Sequence, residues 1–413
     1  MFILSLVLMS LTTALVTYTT TTAYLAKLSI VHPDCTVSIN KDLAPVAPLL
    51  LKTTLGKPEF VLPTVDDKII LKQSDIIEIF CPDSFISVNG APLAVDLSQI
   101  ICCDGNFMLN NKAVRFSTLS CTKPPKDVAR YTGNKCLDYY QEFEIGYKYK
   151  NDFLTLITGC FKKIHKITLY TLNTISKTIA GGKSAHPRKS SWKQGSFYSG
   201  VIVDNLYKRN NQRIAVNKQL GLNIGSTQYI TEYDQKYYLS RGHLTPKADF
   251  IYGSQQDATF YFVNAIPQWN LLNIGNWKIL ENNLRKLASN RRIDLKIYTG
   301  TAEILSLPHN FDKRPVQLFL DERKILPIPK FIWKVVYHEA SGRGVAFVGV
   351  NNPFLKEDVD EYSICKNVCD KLSDYIQINL NYTTHGYVYC CEVGNLMQTV
   401  STIPRLNVIG LLT

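Results

Sequence analysis

Ser240-Arg241-Gly242-His243-Leu244-Thr245-Pro246-Lys247-Ala248-Asp249-Phe250 sets one histidine between two β-type runs, Tyr237-Tyr238-Leu239 and Phe250-Ile251-Tyr252. Thr259-Phe260-Tyr261-Phe262-Val263-Asn264 follows, and its aromatic and β-branched content reads as a second strand. Asn273 then opens a segment in which Trp277, Leu280, Leu284 and Leu287 recur at helical spacing. The stretch predicts two strands and a helix. The first strand carries a histidine, and the helix carries an amide and the carboxylate of Glu281.

Those residue types suit metal-assisted cleavage of a phosphodiester. An imidazole with an ordinary pKa of about 6.5 can take a proton from an attacking water near neutrality. The carbonyl oxygen of Asn273 is a hard, neutral ligand suited to Mg²⁺ that keeps most of its waters. Such an ion offsets charge on the reacting phosphate and the leaving 3′ oxygen. Side-chain alternation places Arg241 on the strand face of His243, where its guanidinium can clamp the same phosphate. Glu281 follows Asn273 by eight residues (281 − 273 = 8). On one regular helix that is roughly 12 Å along the axis and about 80° around it. First-shell distances to Mg²⁺ are about 2.1 Å, so Glu281 is expected to act through a water, not as a direct ligand.

Each residue also has an ordinary reading. Arg-Gly-His is short enough to arise by chance, and a strand histidine is commonly structural. Asn273 could cap a helix, and Glu281 could be a solvated helix residue. Their occurrence in register, with Pro267-Gln268 and Trp277-x-x-Leu280-Glu281 between and beside them, is what points to a site.

The runs Arg-Gly-His-Leu-Thr-Pro-Lys-Ala-Asp-Phe, Thr-Phe-Tyr-Phe-Val-Asn-Ala-Ile-Pro-Gln and Asn-Ile-Gly-Asn-Trp-Lys-Ile-Leu-Glu resemble the DNA/RNA non-specific endonucleases with the ββα-metal motif. The likeness continues through Lys-Ile-Tyr-Thr-Gly near 300 and Ile-Pro-Lys-Phe-Ile-Trp-Lys-Val-Val near 335. It covers roughly the C-terminal two thirds. The cysteine-bearing N-terminal region and Tyr389-Cys390-Cys391 look most like the secreted arthropod branch.

The resemblance implies an α+β fold with a central, mainly antiparallel sheet. It makes His243 the general base, Arg241 and Glu281 its catalytic partners, and Asn273 the metal ligand. Asn264 and Gln268 become supporting residues. Mg²⁺ is the implied cofactor, with Mn²⁺ as a substitute, and the implied substrates are RNA and DNA, double-stranded RNA among them. A further arginine is expected near Lys208–Arg213, where Arg209 and Arg213 are both candidates for binding phosphate. The family's usual Asp before Arg-Gly-His is Ser240 here, which implies tuning of the rate.

The 413 residues carry 46 basic and 34 acidic side chains, a net charge of +12, with 46% apolar residues. Such a composition excludes disorder and favours a polyanionic partner. Phe2–Val16 is apolar but short of the ~20 residues that span a bilayer. It reads as a signal-peptide core, with cleavage between Thr17 and Lys27 and an uncleaved anchor as the alternative. Residues 1–26 are therefore assigned to a signal, and the mature protein is expected to be secreted and free of membrane. Eleven cysteines, an odd number, indicate disulfides with at least one thiol left over. The pairs Cys102/Cys103 and Cys390/Cys391 are each expected to bond to distant partners.

Residues 30–136 read as a β-rich, disulfide-stapled domain and 137–413 as the nuclease domain. Val359–Leu372 looks helical, with Cys365 and Cys369 one turn apart and bonded onward to Cys390/Cys391. The basic loop at Lys183, Arg188, Lys189 and Lys193 reads as solvated. The competing class is a secreted nucleic-acid binder whose catalytic site has decayed. Ser240 is its support, and chelation separates the two.

Overall fold

In the computed structural model, residues 32–182, 191–355, 359–372, 375–379 and 381–413 are described. The segment 1–26 expected to be a signal, and Lys183, Arg188 and Lys189, lie outside them. Alternation along Tyr140–Tyr149 buries Phe143, Ile145, Tyr147 and Tyr149 on one face, the pattern of a strand packed on one side. The strand belongs to a large sheet in the order Val128–Cys136, Tyr140–Tyr149, Asp152–Lys162, Ile167–Ile175, Leu295–Ile304, Pro329–His338, Arg343–Val350 and Val388–Cys391. Neighbours on this path are antiparallel, and only the short Gly410–Leu411 joins in parallel beside Arg343–Val350. Pro329–His338 and Arg343–Val350 read as nearly continuous apolar runs because both of their faces are covered.

The helix Asn276–Arg291 covers one face and buries Trp277, Leu280, Leu284 and Leu287, the residues whose spacing predicted it. Each such side chain contributes on the order of 2 kcal/mol by leaving water. Replacing Leu284 with Ala should cost about 2–5 kcal/mol through the cavity it leaves. Leu396, on Val393–Thr399, joins the core on the other face with Trp333, Val335, Val348 and Tyr389.

The N-terminal region is β-rich, as expected. Its main sheet runs Lys112–Val114, Asn106–Leu109, Leu97–Cys103, Ile76–Phe80, Leu49–Thr54 and Lys57–Phe60. Disulfides Cys35–Cys102 and Cys81–Cys121 staple it, and Cys136–Cys160 ties the first and third strands of the large sheet. A division at 136/137 falls inside the hairpin of Val128–Cys136 with Tyr140–Tyr149. The whole stretch Pro33–Thr413 forms one compact unit. Phe60 packs on Tyr252 at 5.8 Å and Phe80 on Tyr149 at 5.4 Å between ring centres.

Two expectations are corrected. Val359–Leu372 is not a helix: its regular parts are the short turns Asp360–Tyr362 and Cys369–Leu372. Disulfides Cys365–Cys391 and Cys369–Cys390 hold the run against the edge strand, and Val368 N–H donates to Cys390 O at 2.9 Å. Part of its backbone bonding therefore runs across to the sheet. Cys103 forms no disulfide, unlike Cys102, Cys390 and Cys391. Alternation turns Cys103 away from the buried face on which Cys102 meets Cys35.

Candidate active site

The histidine strand is Leu239–His243, but its partner is Ala265–Trp269, not the expected Thr259–Asn264. Phe250–Tyr252 is not a strand either; the short helix Gly253–Ala258 follows it. The aromatic run instead turns at Phe262–Asn264 and plugs the core with Tyr261, Phe262 and Val263. Pro267 has no N–H to give a ladder, and a two-stranded ribbon tolerates it.

In this ribbon Ser240 pairs with Gln268, Arg241 with Pro267, and His243 with Ala265. Gly242 is required: a Cβ there would lie 2.2 Å from Gln268 Oε1. Arg241 and His243 share the opposite face, joined by aromatic rings. Trp192 and Phe260 flank the His243 ring at 4.7 and 4.9 Å between centres. Trp192 stacks on Phe262 at 5.5 Å, and the Arg241 guanidinium lies 5.4 Å from the Tyr207 ring centre and 6.0 Å from that of Phe262. Arg241 Nη2 pairs with Asp204 at 2.6 Å, while its Nε is buried without a partner among the described residues.

Burial among these rings, with a smaller contribution from Lys247, pushes the His243 pKa down to about 3. The imidazole is neutral near pH 7. Thr259 Oγ1 donates its one proton to Gln256 O at 2.8 Å and lies 3.4 Å from His243 Nε2. Toward that nitrogen the hydroxyl can only accept, which favours the tautomer with the proton on Nε2 and a bare Nδ1.

Asn273 lies on the short helix Asn270–Ile274, which packs on both strands of the ribbon. Its half-buried amide makes no hydrogen bond among the described residues. The chain then breaks at Gly275 (φ −92°, ψ −126°) before Asn276–Arg291 begins. A Cβ at Gly275 would meet His385 O at 2.2 Å and Leu271 O at 2.6 Å. Asn273 and Glu281 thus sit on two helices, and the spacing calculated for one regular helix does not apply. Burial raises the Glu281 pKa to about 7; Lys334 and Arg285 oppose the rise, and Asp249 adds to it.

Asn264 is fully buried and saturated. Its Oδ1 accepts from Thr245 N–H, and its Nδ2 donates to Thr245 O and Thr259 O, each at 2.9 Å. It fixes the exit of the histidine strand against the residue beside the His243 ring. Gln268 is also fully buried, but both of its amide atoms lack partners among the described residues. Ser240 donates to the Gln268 backbone carbonyl at 2.9 Å, on the ribbon face away from His243. Arg209 spends its guanidinium on Glu232 O (2.6 Å) and Asp234 O (3.2 Å), and Arg213 donates to Asn210 Oδ1 at 2.8 Å. No described contact joins either arginine to His243, Asn273 or Glu281. Lys193 is not a solvated loop charge: it pairs with Asp127 at 2.5 Å and lies over Tyr261.

Several neighbours were not singled out from sequence. Trp192 and Thr259 carry no recognisable signal. Arg285 stands four residues after Glu281, one helical turn on, and Asp249 and Lys334 lie within quoted motif runs. Arg285 pairs with Asp249 at 2.8 Å, and Asn173 Nδ2 donates to the other Asp249 oxygen at 3.1 Å. Among the described residues no three His, Cys, Asp or Glu side chains converge on a metal position. A thiolate or imidazole cage is therefore not built there. The unpartnered oxygen of Asn273 does fit a hydrated hard cation that takes further ligands from phosphate.

Residues 139–396 match the DNA/RNA non-specific endonuclease family. A salivary endonuclease of Lutzomyia longipalpis is 27% identical over 90% of this chain and 85% of its own length. A salivary endonuclease of Culex quinquefasciatus is 29% identical over 73% of this chain and 76% of its own. Salivary protein Tsal2A of Glossina morsitans morsitans is 24% identical over 92% and 94%. A crystal structure of EndoG with its inhibitor EndoGI superposes at a TM-score of 0.32 and 15% identity, over 51% of this chain and 76% of that one. The match over 139–396 is well over half of the sequence, and the chain belongs to the DNA/RNA non-specific endonuclease family, a nuclease whose substrate is nucleic acid.

Proposed function

We propose that the protein is a secreted, Mg²⁺-dependent endonuclease that hydrolyses internal phosphodiester bonds of RNA and DNA with little base selectivity, double-stranded RNA included. The observation that carries this reading is His243: a neutral imidazole on one strand face with Arg241, beside the helix that presents the unpartnered Asn273 amide. Nδ1 accepts the proton of the attacking water. The substrate's phosphate raises the imidazole pKa as it approaches, because a nearby anion favours the charged ring, and this strengthens the base at the moment of use. Arg241 binds the same phosphate, which competes with Asp204 for its guanidinium. Glu281, as a carboxylate, orients a water at the reacting centre, and that water gives the leaving 3′ oxygen its proton. Asn273 would hold Mg²⁺, or Mn²⁺ in its place, through its amide oxygen, and the bound ion supplies charge neutralisation at the phosphate.

Contacts made mainly to phosphate position a duplex without reading its sequence, in keeping with weak base selectivity. The salivary names of the relatives and five disulfides support secretion. No helix among the described residues is long and apolar enough to cross a membrane. Long double-stranded RNA, plasmid DNA and single-stranded RNA, incubated with the protein in Mg²⁺ and in EDTA, test the proposal. Internal cutting that stops in EDTA is expected. Cutting that survives complete chelation would remove the metal from the reading, and nucleic acid retarded but uncut would remove the enzyme.

A further inference from the structure

The sheet face beneath the long helix carries a polar row in an otherwise apolar core. Thr171, Thr299 and Lys334 stand in register on three neighbouring strands, and Asn173 follows Thr171 on the same face. All four are buried, Lys334 to 1% exposure. The Lys334 ammonium donates to Thr299 Oγ1 at 2.5 Å and lies 5.4 Å from the Trp277 ring centre. That is one hydrogen bond for three donors, and no carboxylate among the described residues reaches ion-pair distance. A buried ammonium so sparsely bonded is costly and invites a functional account.

Asp249 is already matched by Arg285 and Asn173. Glu281 has no hydrogen bond or ion pair among the described residues, and Lys334 exerts the larger of the two attractions on its charge. We propose that Lys334 is a positioning residue of the nuclease site: its ammonium, seated on Thr299 in the sheet below, holds the Glu281 carboxylate as an anion. This rests on the reading of Glu281 as the carboxylate that orients a water at the reacting centre. The charges bearing on Glu281 are Lys334 from the sheet, Asp249 from the turn after the histidine strand, and Arg285 from its own helix. The fold places the two together: the Lys334 ammonium lies against the Trp277 ring, and Glu281 stands one helical turn beyond Trp277 on the same side of the helix. Burial alone would leave Glu281 largely protonated at neutral pH.

Lys334→Met in the full chain tests the proposal. The acid limb of kcat should move up by about one pH unit, a loss of about fivefold at pH 7 and about tenfold at pH 6 that is recovered by pH 9, with KM unchanged. Lys334→Arg should leave the limb near its original place, and Lys334→Met should add nothing in a Glu281→Gln background. A uniform loss at every pH, or an unmoved limb, would overturn the proposal. If Lys334→Met fails to fold, Thr299→Val carries the same test, with a smaller upward shift expected and no shift contradicting it. The ¹³C resonance of the Glu281 carboxyl separates this proposal from the nuclease reading. A Glu281 midpoint unmoved by Lys334→Met, with cleavage by the unmodified protein intact, overturns only the coupling. A midpoint that moves in a protein that cuts nothing overturns only the nuclease reading.

Discussion

His243 and Glu281 meet the same force with opposite results. Burial disfavours charge at both, so it lowers the histidine to about 3 and raises the glutamate to about 7. Their surroundings then diverge. His243 stands among rings, Trp192 and Phe260, and the charge of Lys247 acts with burial to keep it neutral. Glu281 stands among charges, with Lys334 and Arg285 pulling its pKa back toward the ordinary carboxylate range against burial and Asp249. One pocket fixes a protonation state and the other leaves it adjustable. The proposed roles, a base that stands ready at His243 and a carboxylate that must be ionised at Glu281, fit that difference.

Removing the adjustable group should have the larger effect. Glu281→Gln is expected to lower kcat on the order of 10²-fold and to abolish the acid limb near pH 7, as read in a pH–rate profile. The same variant has a stability signature. A carboxyl raised from about 4.3 unfolded to about 7 folded stabilises the fold fully below pH 4.3 and loses that contribution as pH rises through 7. Glu281→Gln should therefore melt higher than the unmodified protein at pH 8.5 but not at pH 4. An equal shift at both values would remove the electrostatic cause.

Opening the other pocket should do less. Trp192→Ala admits water to the imidazole, so the histidine pKa should return toward 6.5. The acid limb would then steepen from one proton to two, a further loss of about tenfold at pH 5.5. A limb that stays first-order would show that the ring's burial does not depend on Trp192. The smallest change is expected on the ribbon's far face. Ser240→Ala removes a hydrogen bond to Gln268 O and should cost about 1 kcal/mol in denaturant unfolding, with kcat nearly unchanged. A large fall in kcat would instead bring position 240 into the catalytic face.

The elements that carry His243 and Arg241 were more legible in the sequence than the geometry around them. His243, Arg241 and the long helix follow from alternation and helical spacing, which the coordinates reproduce. The second strand was misplaced because Thr259–Asn264 has strand-like composition and is used as a core plug, while Pro267 obscured the true strand. The break at Gly275 depends on His385 O, 110 residues away, which no local pattern reports. Lys334 looked like one residue of an apolar strand, and only its register with Thr171 and Thr299 shows a polar row. Local periodicity carries elements, whereas partners brought in from distant strands carry the electrostatics.

The most direct test is single-turnover cleavage of long double-stranded RNA in Mg²⁺ at pH 8 by the unmodified protein and by His243→Ala. A standing general base at His243 predicts a loss of at least 10²- to 10⁴-fold in the variant, with RNA still bound. Cleavage by His243→Ala within a fewfold of the unmodified rate would contradict the account and place the base elsewhere.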